Sequence, residues 1–258
     1  MPDGLKHTKK AQTPTNLRLL LLVEHVAEAG EPVSAASLVK SLDLPKPTVH
    51  RLLSTAEEQG YLQRDVDGRS YGPGPRLRKL AANTLSSQRV RTERLAIMRA
   101  LSEEVEETCN LAAPGRQGMV YLDRVETHWP LRIQLPRGTQ VPFHCTASGK
   151  MYLSTMRPDR LARWMSSYEL TPMTDHTLVD PEALMAELEE TRKRGYSVDY
   201  QEFMDDMCAI AVAIRDDMGR LLTTLSVHAP VQRHSVDSLV AYLAPLQRAA
   251  DKLGELID

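Results

Sequence analysis

Two short stretches carry the residues whose types and spacing could do chemistry. The first is Leu44-Pro45-Lys46-Pro47-Thr48-Val49-His50-Arg51-Leu52-Leu53. Val49, Leu52, Leu53 and Ala56 recur at i, i+3, i+4 and i+7, the spacing of one buried helical face. Lys46, Thr48, His50 and Arg51 fall on the outer side near the helix start, and Pro47 suits that start because a first-turn position needs no N–H. Arg, Lys and Thr reach base edges and phosphates when such a helix end enters a major groove. Taken alone, a helical hairpin with a solvated basic face is the simpler explanation. The second stretch is Phe143-His144-Cys145-Thr146-Ala147-Ser148-Gly149-Lys150, set between a predicted strand and a predicted helix. There the N–H groups of Ala147, Ser148 and Gly149 would point out of a helix start, an arrangement that attracts an anion. An ordinary Thr or Ser N-cap explains the same letters.

The elements around the first stretch decide its meaning. Ser34–Leu42 puts Ala35, Leu38, Val39 and Leu42 on one helical face, with Ser34 at its start as a further candidate DNA contact. Asp43-Leu44-Pro45 interrupts it, since a residue before proline is pushed out of helical angles. Gly60 suits a left-handed helix end. Tyr61–Asp65 and Arg69–Tyr71 flank Val66-Asp67-Gly68, which predicts a hairpin carrying Arg64 and Arg69 beside the basic helix. Helix, turn, basic helix and hairpin form a winged helix-turn-helix. A preceding helix, Asn16–Ala29, turns Leu19, Leu20, Leu22, Val23 and Val26 inward beneath it.

Downstream, Pro75–Leu85 reads as a helix with a stripe of Leu77, Leu80, Ala81, Thr84 and Leu85. A break at Ser86-Ser87 separates it from a helix over Arg89–Glu107. Strands are expected over Cys109–Ala113, Gly118–Val125, Leu131–Leu135, Tyr196–Asp199, Ala209–Ile214 and Leu221–Val227. Helices are expected near 147–156, 158–167 and 181–194, and over 236–256 with a kink at Pro245. Antiparallel hairpins with helices collected on one side predict an α+β domain. Alternation puts Ser226 and His228 on one sheet face, where His228 is either a cation for such an anion or a satisfied half-buried histidine. Leu131, Ile133, Leu135, Met207 and Phe143 are the candidate apolar lining.

Leu44–Leu53, Gly60-Tyr61-Leu62, Asp67-Gly68, Tyr71, Gly74 and Leu77 together resemble the N-terminal domain of the IclR family of bacterial transcription regulators. Phe143–Lys150, Thr191–Asp199, Cys208-Ala-Ile-Ala and Leu225-Ser226-Val227 resemble that family's later signatures, in order, from about Leu17 to the end of the chain. The resemblance implies a GAF-like effector domain that binds a small carboxylate, a linker helix that helps dimerise the DNA-binding domains, and a homodimer or homotetramer on double-stranded operator DNA. By motif it implies effector contacts from Phe143, Ala147, Ser148, Gly149, Asp199, Met207, Cys208, Ser226 and His228. Between Asp199 and Cys208 the chain is one residue shorter than the family's pattern and lacks its Gly and Arg. The domain layout expected is a flexible tail over 1–14, the winged helix-turn-helix over 15–75, the linker helix over 76–88 and the effector domain over 89–258.

Bulk numbers agree with this division. The 258 residues suffice for two modest cores. Residues 1–95 hold 15 Lys and Arg against 10 Asp and Glu, a net of +5, and the remainder carries −7 within an overall −2. A basic third beside an acidic remainder fits one DNA-facing domain and one that is not. Three scattered cysteines fit a reducing compartment and neither a disulfide framework nor a zinc finger. No leader-like or membrane-spanning apolar run is present, so a cytoplasmic protein without cofactor or metal is expected. Two rivals remain at this stage. One is a thiol enzyme using Cys145 or Cys208, for which His144 is poorly placed because strand neighbours point to opposite faces. The other is a DNA-binding protein that answers to no ligand.

Overall fold

The structure, a computed structural model, describes residues 14–65, 67–85 and 88–256. Most of the expected tail, Val66 of the expected turn and the expected break at Ser86-Ser87 lie outside those residues. The chain divides into two compact units after Thr84.

In the first unit α1 (Arg18–Glu28), α2 (Ala35–Leu42) and α3 (Lys46–Glu58) surround one small core. Leu22, Val26, Leu38, Val49, Leu53 and Leu62 are its fully buried members. Leu20, expected inside, is 63% exposed, because Leu19, Leu22, Val23 and Val26 already fill the face of α1 that meets the core. Ser34 caps α2 by accepting from the Ser37 N–H at 3.2 Å, and Asp43 ends that helix in the left-handed region at φ 51°. The extended backbone of Pro45 then releases the chain into α3, which starts one residue before Pro47. At the far end Gly60, at φ +75°, lets the Tyr61 N–H reach the Ala56 carbonyl and its own N–H reach Glu57.

The hairpin is β2 (Leu62–Arg64) against β3 (Ser70–Pro73), and the two-residue β1 (Val33–Ser34) adds a third strand on the other side of β3. Asp67 ties the hairpin tip by accepting from the Arg69 and Ser70 N–H groups at 2.7 and 2.8 Å. From β3 the chain passes through Gly74 into α4 (Pro75–Leu85).

The second unit is an antiparallel six-stranded sheet in the order β6-β5-β4-β9-β8-β7. Its strands are β4 (Thr108–Pro114), β5 (Met119–Val125), β6 (Gln140–Val141), β7 (Ser197–Tyr200), β8 (Met207–Arg215) and β9 (Leu221–Pro230). Helices cover both faces, not one. Leu111, Ile210, Val212, Leu225 and Val227 pack toward α5 (Gln88–Val105), α9 (Val236–Val240) and α10 (Leu243–Gly254). Ala209, Ala211 and Ala213 pack toward α6 (Ala147–Ser154), which is backed by α7 (Pro158–Ser167) and α8 (Pro181–Arg194). The unbroken apolar run Ala209–Ile214 needed that second cover, since a strand wetted on one side alternates with polar residues.

Two further expectations are corrected. Leu131–Leu135 forms no strand; Ile133 is buried but Leu131 is 56% exposed, so the alternation belongs to a part-buried segment with no ladder partner. The last helix is broken outright, α9 ending at Val240 and α10 starting at Leu243. Pro245 has no N–H for the Ala241 carbonyl and its ring crowds that group, which places the break one turn before the proline.

Gly74 joins the end of α3 to the start of α4. It donates to the Tyr61 carbonyl at 2.7 Å, and a Cβ there would lie 2.4 Å from the Gly60 oxygen. Gly74→Ala should therefore destabilise the first unit by at least about 1–3 kcal/mol, the range for forced overpacking. Urea unfolding followed by helical circular dichroism checks this; a midpoint equal to wild type would show that the junction yields freely.

Candidate functional site

The first unit presents the start of α3. Burying Val49, Leu52, Leu53 and Ala56 leaves Lys46, Pro47, His50 and Arg51 exposed and Thr48 half-buried. The side chains of Lys46, His50 and Arg51 form no hydrogen bond or ion pair among the described residues. The hairpin arginines differ from each other. Arg69 is exposed, and its side chain likewise has no such bond among the described residues. Arg64 is engaged within the unit: Nε lies 2.9 Å from Glu57 Oε1, Nη1 donates to the Gly68 carbonyl at 3.0 Å, and the guanidinium covers the Tyr71 ring at 5.1 Å. Arg64 thus braces the hairpin against α3. Ser34 faces a similar restriction, its hydroxyl serving the α2 cap.

The second unit holds a buried polar field between the sheet and α6. Register aligns Ser197, Ala211, Ser226, Asn110 and Arg124 in one row across five strands, and Asp199, Ala209, His228 and Thr108 in the next. Above them stands the α6 start. Ser148 Oγ donates to Ser226 Oγ at 3.3 Å, and Ser226 Oγ lies 3.0 Å from His228 Nε2. Thr146 is the N-cap and takes the Gly149 N–H at 3.1 Å. Of the three N–H groups expected to be open, the Gly149 group is therefore occupied. Gly149 is required for another reason: a Cβ there would sit 2.2 Å from the Phe143 oxygen.

Three residues in this field escaped the sequence reading. Asn110 is fully buried with both ends of its amide unpartnered among the described residues, and the buried Tyr121 hydroxyl is likewise unpartnered. The Arg124 side chain is 5% exposed; Nη1 donates to the Leu135 carbonyl at 3.2 Å, and Nη2 has no partner among the described residues. Its Nε is 3.2 Å from Glu126 Oε1, though misaligned for a hydrogen bond. A bulge opposite Leu111/Ala112 explains how these residues meet. Leu122 is skipped in the β4–β5 pairing, so Tyr121 and Arg124 share the α6 face although they are three apart.

Charge in the field is not where His228 suggested. Burial and the neighbouring Arg124 push His228 down to about 3, so it is neutral at ordinary pH. The cation of this field is Arg124. On the opposite flank burial and Glu202 push Asp199 up to about 7, while its Oδ1 accepts the Glu202 N–H at 2.7 Å. Lys150, fully buried, pairs with Glu202 and lies 3.6 Å from Glu187. Thr177 Oγ1 donates to the Glu202 carbonyl at 2.6 Å, so the short segment between β7 and β8 is held down despite its missing Gly and Arg.

Other expected residues are not gathered here. Cys208 packs into the cluster on the α9 and α10 side, with Sγ 3.2 Å from the His234 carbonyl. Strand parity separates it from Ala209 and so from His228. Phe143 packs on Tyr152 and Trp164, with ring centroids 5.2 and 6.1 Å away. Met207 sits half-buried at the strand end opposite Pro230. The thiols offer no nucleophile: burial raises Cys145 and takes Cys208 up to about 12, and His144 Nε2 is 2.9 Å from the Thr171 carbonyl. Among the described residues no cluster of His, Cys, Asp and Glu is arranged to hold a metal, and no helix is long and apolar enough to cross a membrane.

Comparison with known proteins assigns both units to one family of domains. Residues 17–66 match the family model of the IclR helix-turn-helix domain, and residues 82–255 that of the bacterial transcriptional regulator IclR C-terminal domain. The chain is 38% identical over 237 residues to the probable transcriptional regulator SauR of Cupriavidus necator, covering 92% of this chain and 94% of that protein. It is 28% identical to the transcriptional repressor IclR of Escherichia coli, over 94% and 89% of the two chains. Among solved structures, an IclR homologue from Microbacterium hydrocarbonoxydans complexed with 4-hydroxybenzoate superposes with a TM-score of 0.59 at 25% identity, over 93% and 98% of the chains. These relatives are regulators and not enzymes.

The two opposed pKa shifts make a stability prediction. Asp199 is protonated in the fold up to about pH 7, so its contribution is full below pH 4 and is lost as pH rises through 7. His228 is held neutral, so its contribution is full above pH 6.5 and is lost as pH falls through about 3. Each is on the order of 4 kcal/mol, and they oppose each other between pH 4 and 6.5. Asp199→Asn should leave the histidine effect alone, and stability should then fall more steeply on acidification than in wild type. Both tryptophans lie in the second unit, so denaturant titrations followed by tryptophan fluorescence at several pH values read it. Parallel curves for the two proteins would refute it.

Proposed function

The chain is a DNA-binding transcription regulator of the IclR family, and from that premise we propose that it is ligand-responsive, sensing a small organic acid in its second unit to control a catabolic operon from the cytoplasm. The observation that carries the sensing half is the buried field around Ser148, Ser226 and Arg124, polar groups withdrawn from water and only partly satisfied by one another. Such groups are retained where a ligand completes their hydrogen bonds. A carboxylate suits them: hydroxyl donors, the N–H groups at the start of α6 and one buried guanidinium all favour a compact anion. A sugar phosphate or nucleotide would require more Arg and Lys than the field offers.

On the DNA side, Arg51 and Thr48 are assigned to base edges and Lys46 and Arg69 to phosphates. Arg64 is assigned to holding the hairpin in place. One winged helix covers a half-site, so an inverted repeat read by a two-fold dimer is the expected operator form. Leu80, Ala81 and Thr84 of α4 are exposed and available for part of that contact.

The test uses fluorescence anisotropy on an operator duplex. Arg51→Ala should weaken operator binding by roughly 1–3 kcal/mol while changing random-duplex binding little, and Lys46→Ala should weaken both and flatten the salt dependence. An Arg51→Ala protein that still prefers the operator at full strength would refute the readout. For sensing, a free acid should change operator affinity and its methyl ester should not, with the response reduced in Ser226→Ala. An ester as potent as its acid would refute carboxylate recognition.

A further inference from the structure

The field described above has two separated polar ends, and only one of them is needed for a single carboxylate. At one end are the α6 start, Ser148 and Ser226. At the other, one strand beyond Asn110, is Arg124. Two strand spacings place the Ser226 and Arg124 backbones about 10 Å apart, and the long arginine side chain shortens the gap its guanidinium must leave. Between the ends lies the Asn110 amide, fully buried with neither its oxygen nor its nitrogen partnered among the described residues, and on the strand of Arg124 is the Tyr121 hydroxyl, which is also buried and unpartnered. Leaving one such group unmet inside a protein is costly; three together, on one face, mark a place where something else binds.

Charge separates the ends further. Glu126 is shared between two guanidinium groups, Arg132 at 2.8 Å and Arg124 at 3.2 Å, so one carboxylate faces two cations and a positive charge is left over. On the buried side of this set, Nη2 of Arg124 is open among the described residues. The titratable groups facing this end are the neutral His228, Tyr121 and, across the field, Asp199.

We infer that Arg124, Asn110 and Tyr121 form a second anion subsite, so that the effector is a short diacid whose two anionic groups are read at opposite ends of the same field. This rests on the organic-acid reading and adds to it the number and placement of the charges. One anionic group meets Ser148, Ser226 and the α6 N–H groups. A short aliphatic spacer crosses the face beside Asn110. The other anionic group takes Nη2 of Arg124 and the Tyr121 hydroxyl as donors, and Asn110 supplies its amide N–H to whichever oxygen lies nearest. Asp199, protonated below about pH 7, does not oppose the second charge as an ionised carboxylate would.

Calorimetry on the full-length protein at pH 6.5 tests this with succinate and glutarate against butyrate and valerate. In wild type the diacids should bind at least tenfold more tightly than the monoacids of equal length. Arg124→Gln should remove that preference by weakening the diacids alone. Tyr121→Phe, which deletes a single oxygen and keeps the ring packing, should weaken the diacids severalfold, and this covers the case in which the arginine variant fails to fold. Equal affinity of wild type for diacids and monoacids, or an undiminished preference in both variants, would overturn the second subsite while leaving carboxylate sensing standing. If no acid of either kind binds and none shifts operator affinity, the organic-acid reading itself falls, and the subsite with it.

Discussion

Burying an amino group is costly unless carboxylates are built around it, and the buried Lys150 imposes that condition on the second unit. Its ammonium group meets Glu202 from the segment between β7 and β8, and Glu187 from α8 stands next to it. Glu187 in turn receives Arg194 at 2.7 Å, and Asp199 fixes the Glu202 backbone. Elements far apart in the chain are thereby bound to one helix. Breaking such a set strands a charge in a low-dielectric interior, typically at about 3–5 kcal/mol. The consequence is positional: the lysine ties α6 to these elements, with Ser148 Oγ of its first turn 3.3 Å from Ser226 Oγ.

Both candidate sites are helix starts, and their surroundings suit them to opposite ligands. The α3 start is exposed, follows the extended Pro45 and carries Lys46, His50 and Arg51 outward. Exposed cations at such an end suit a long polyanion, whose binding is driven by many phosphate contacts and released counterions. The α6 start is buried, with Ala147 and Ser148 at 0% and 1% exposure, and its neighbours are hydroxyls, an amide and a single guanidinium. Enclosure there favours a small anion that can replace its whole hydration shell with fixed donors.

How much could be read from the letters follows the same physics. The α3 face, the Gly60 helix end and the spans of α7 and α8 were legible because each depends on local chemistry: a 3.6-residue period, a glycine at positive φ, a proline in the first helical turn and an Asp cap ahead of α8. The alternation of Leu131, Ile133 and Leu135 was legible too, but alternation reports a half-buried extended chain and says nothing about a ladder partner. Arg124 was hidden for a subtler reason. Simple alternation along β5 puts Tyr121 with Asp123 and leaves Arg124 on the other face. The skipped Leu122 reverses the parity, sending Asp123 to Arg91 and Arg94 of α5 and turning Arg124 toward α6. Only the pairing register shows this, since a bulge is a property of two strands. Asn110 gave a fainter signal, as a lone amide inside the apolar run Cys109–Ala113.

Burial, and not parity, decides which residue carries charge in this buried field. A histidine two residues from a serine on the same sheet face invites assignment as the cation, and by sequence spacing His228 is well placed. Its surroundings forbid it. A buried imidazolium beside a permanently charged guanidinium would suffer both desolvation and repulsion, so of the two groups the one able to give up its proton does so. Neutral, His228 can either donate to or accept from Ser226 and so can orient that hydroxyl whichever way its partner requires. In the proposed effector reading the sheet face then divides the labour with α6: Arg124 would supply charge, Ser226 and the Ser148 hydroxyl above it directional donors, and His228 would set the direction.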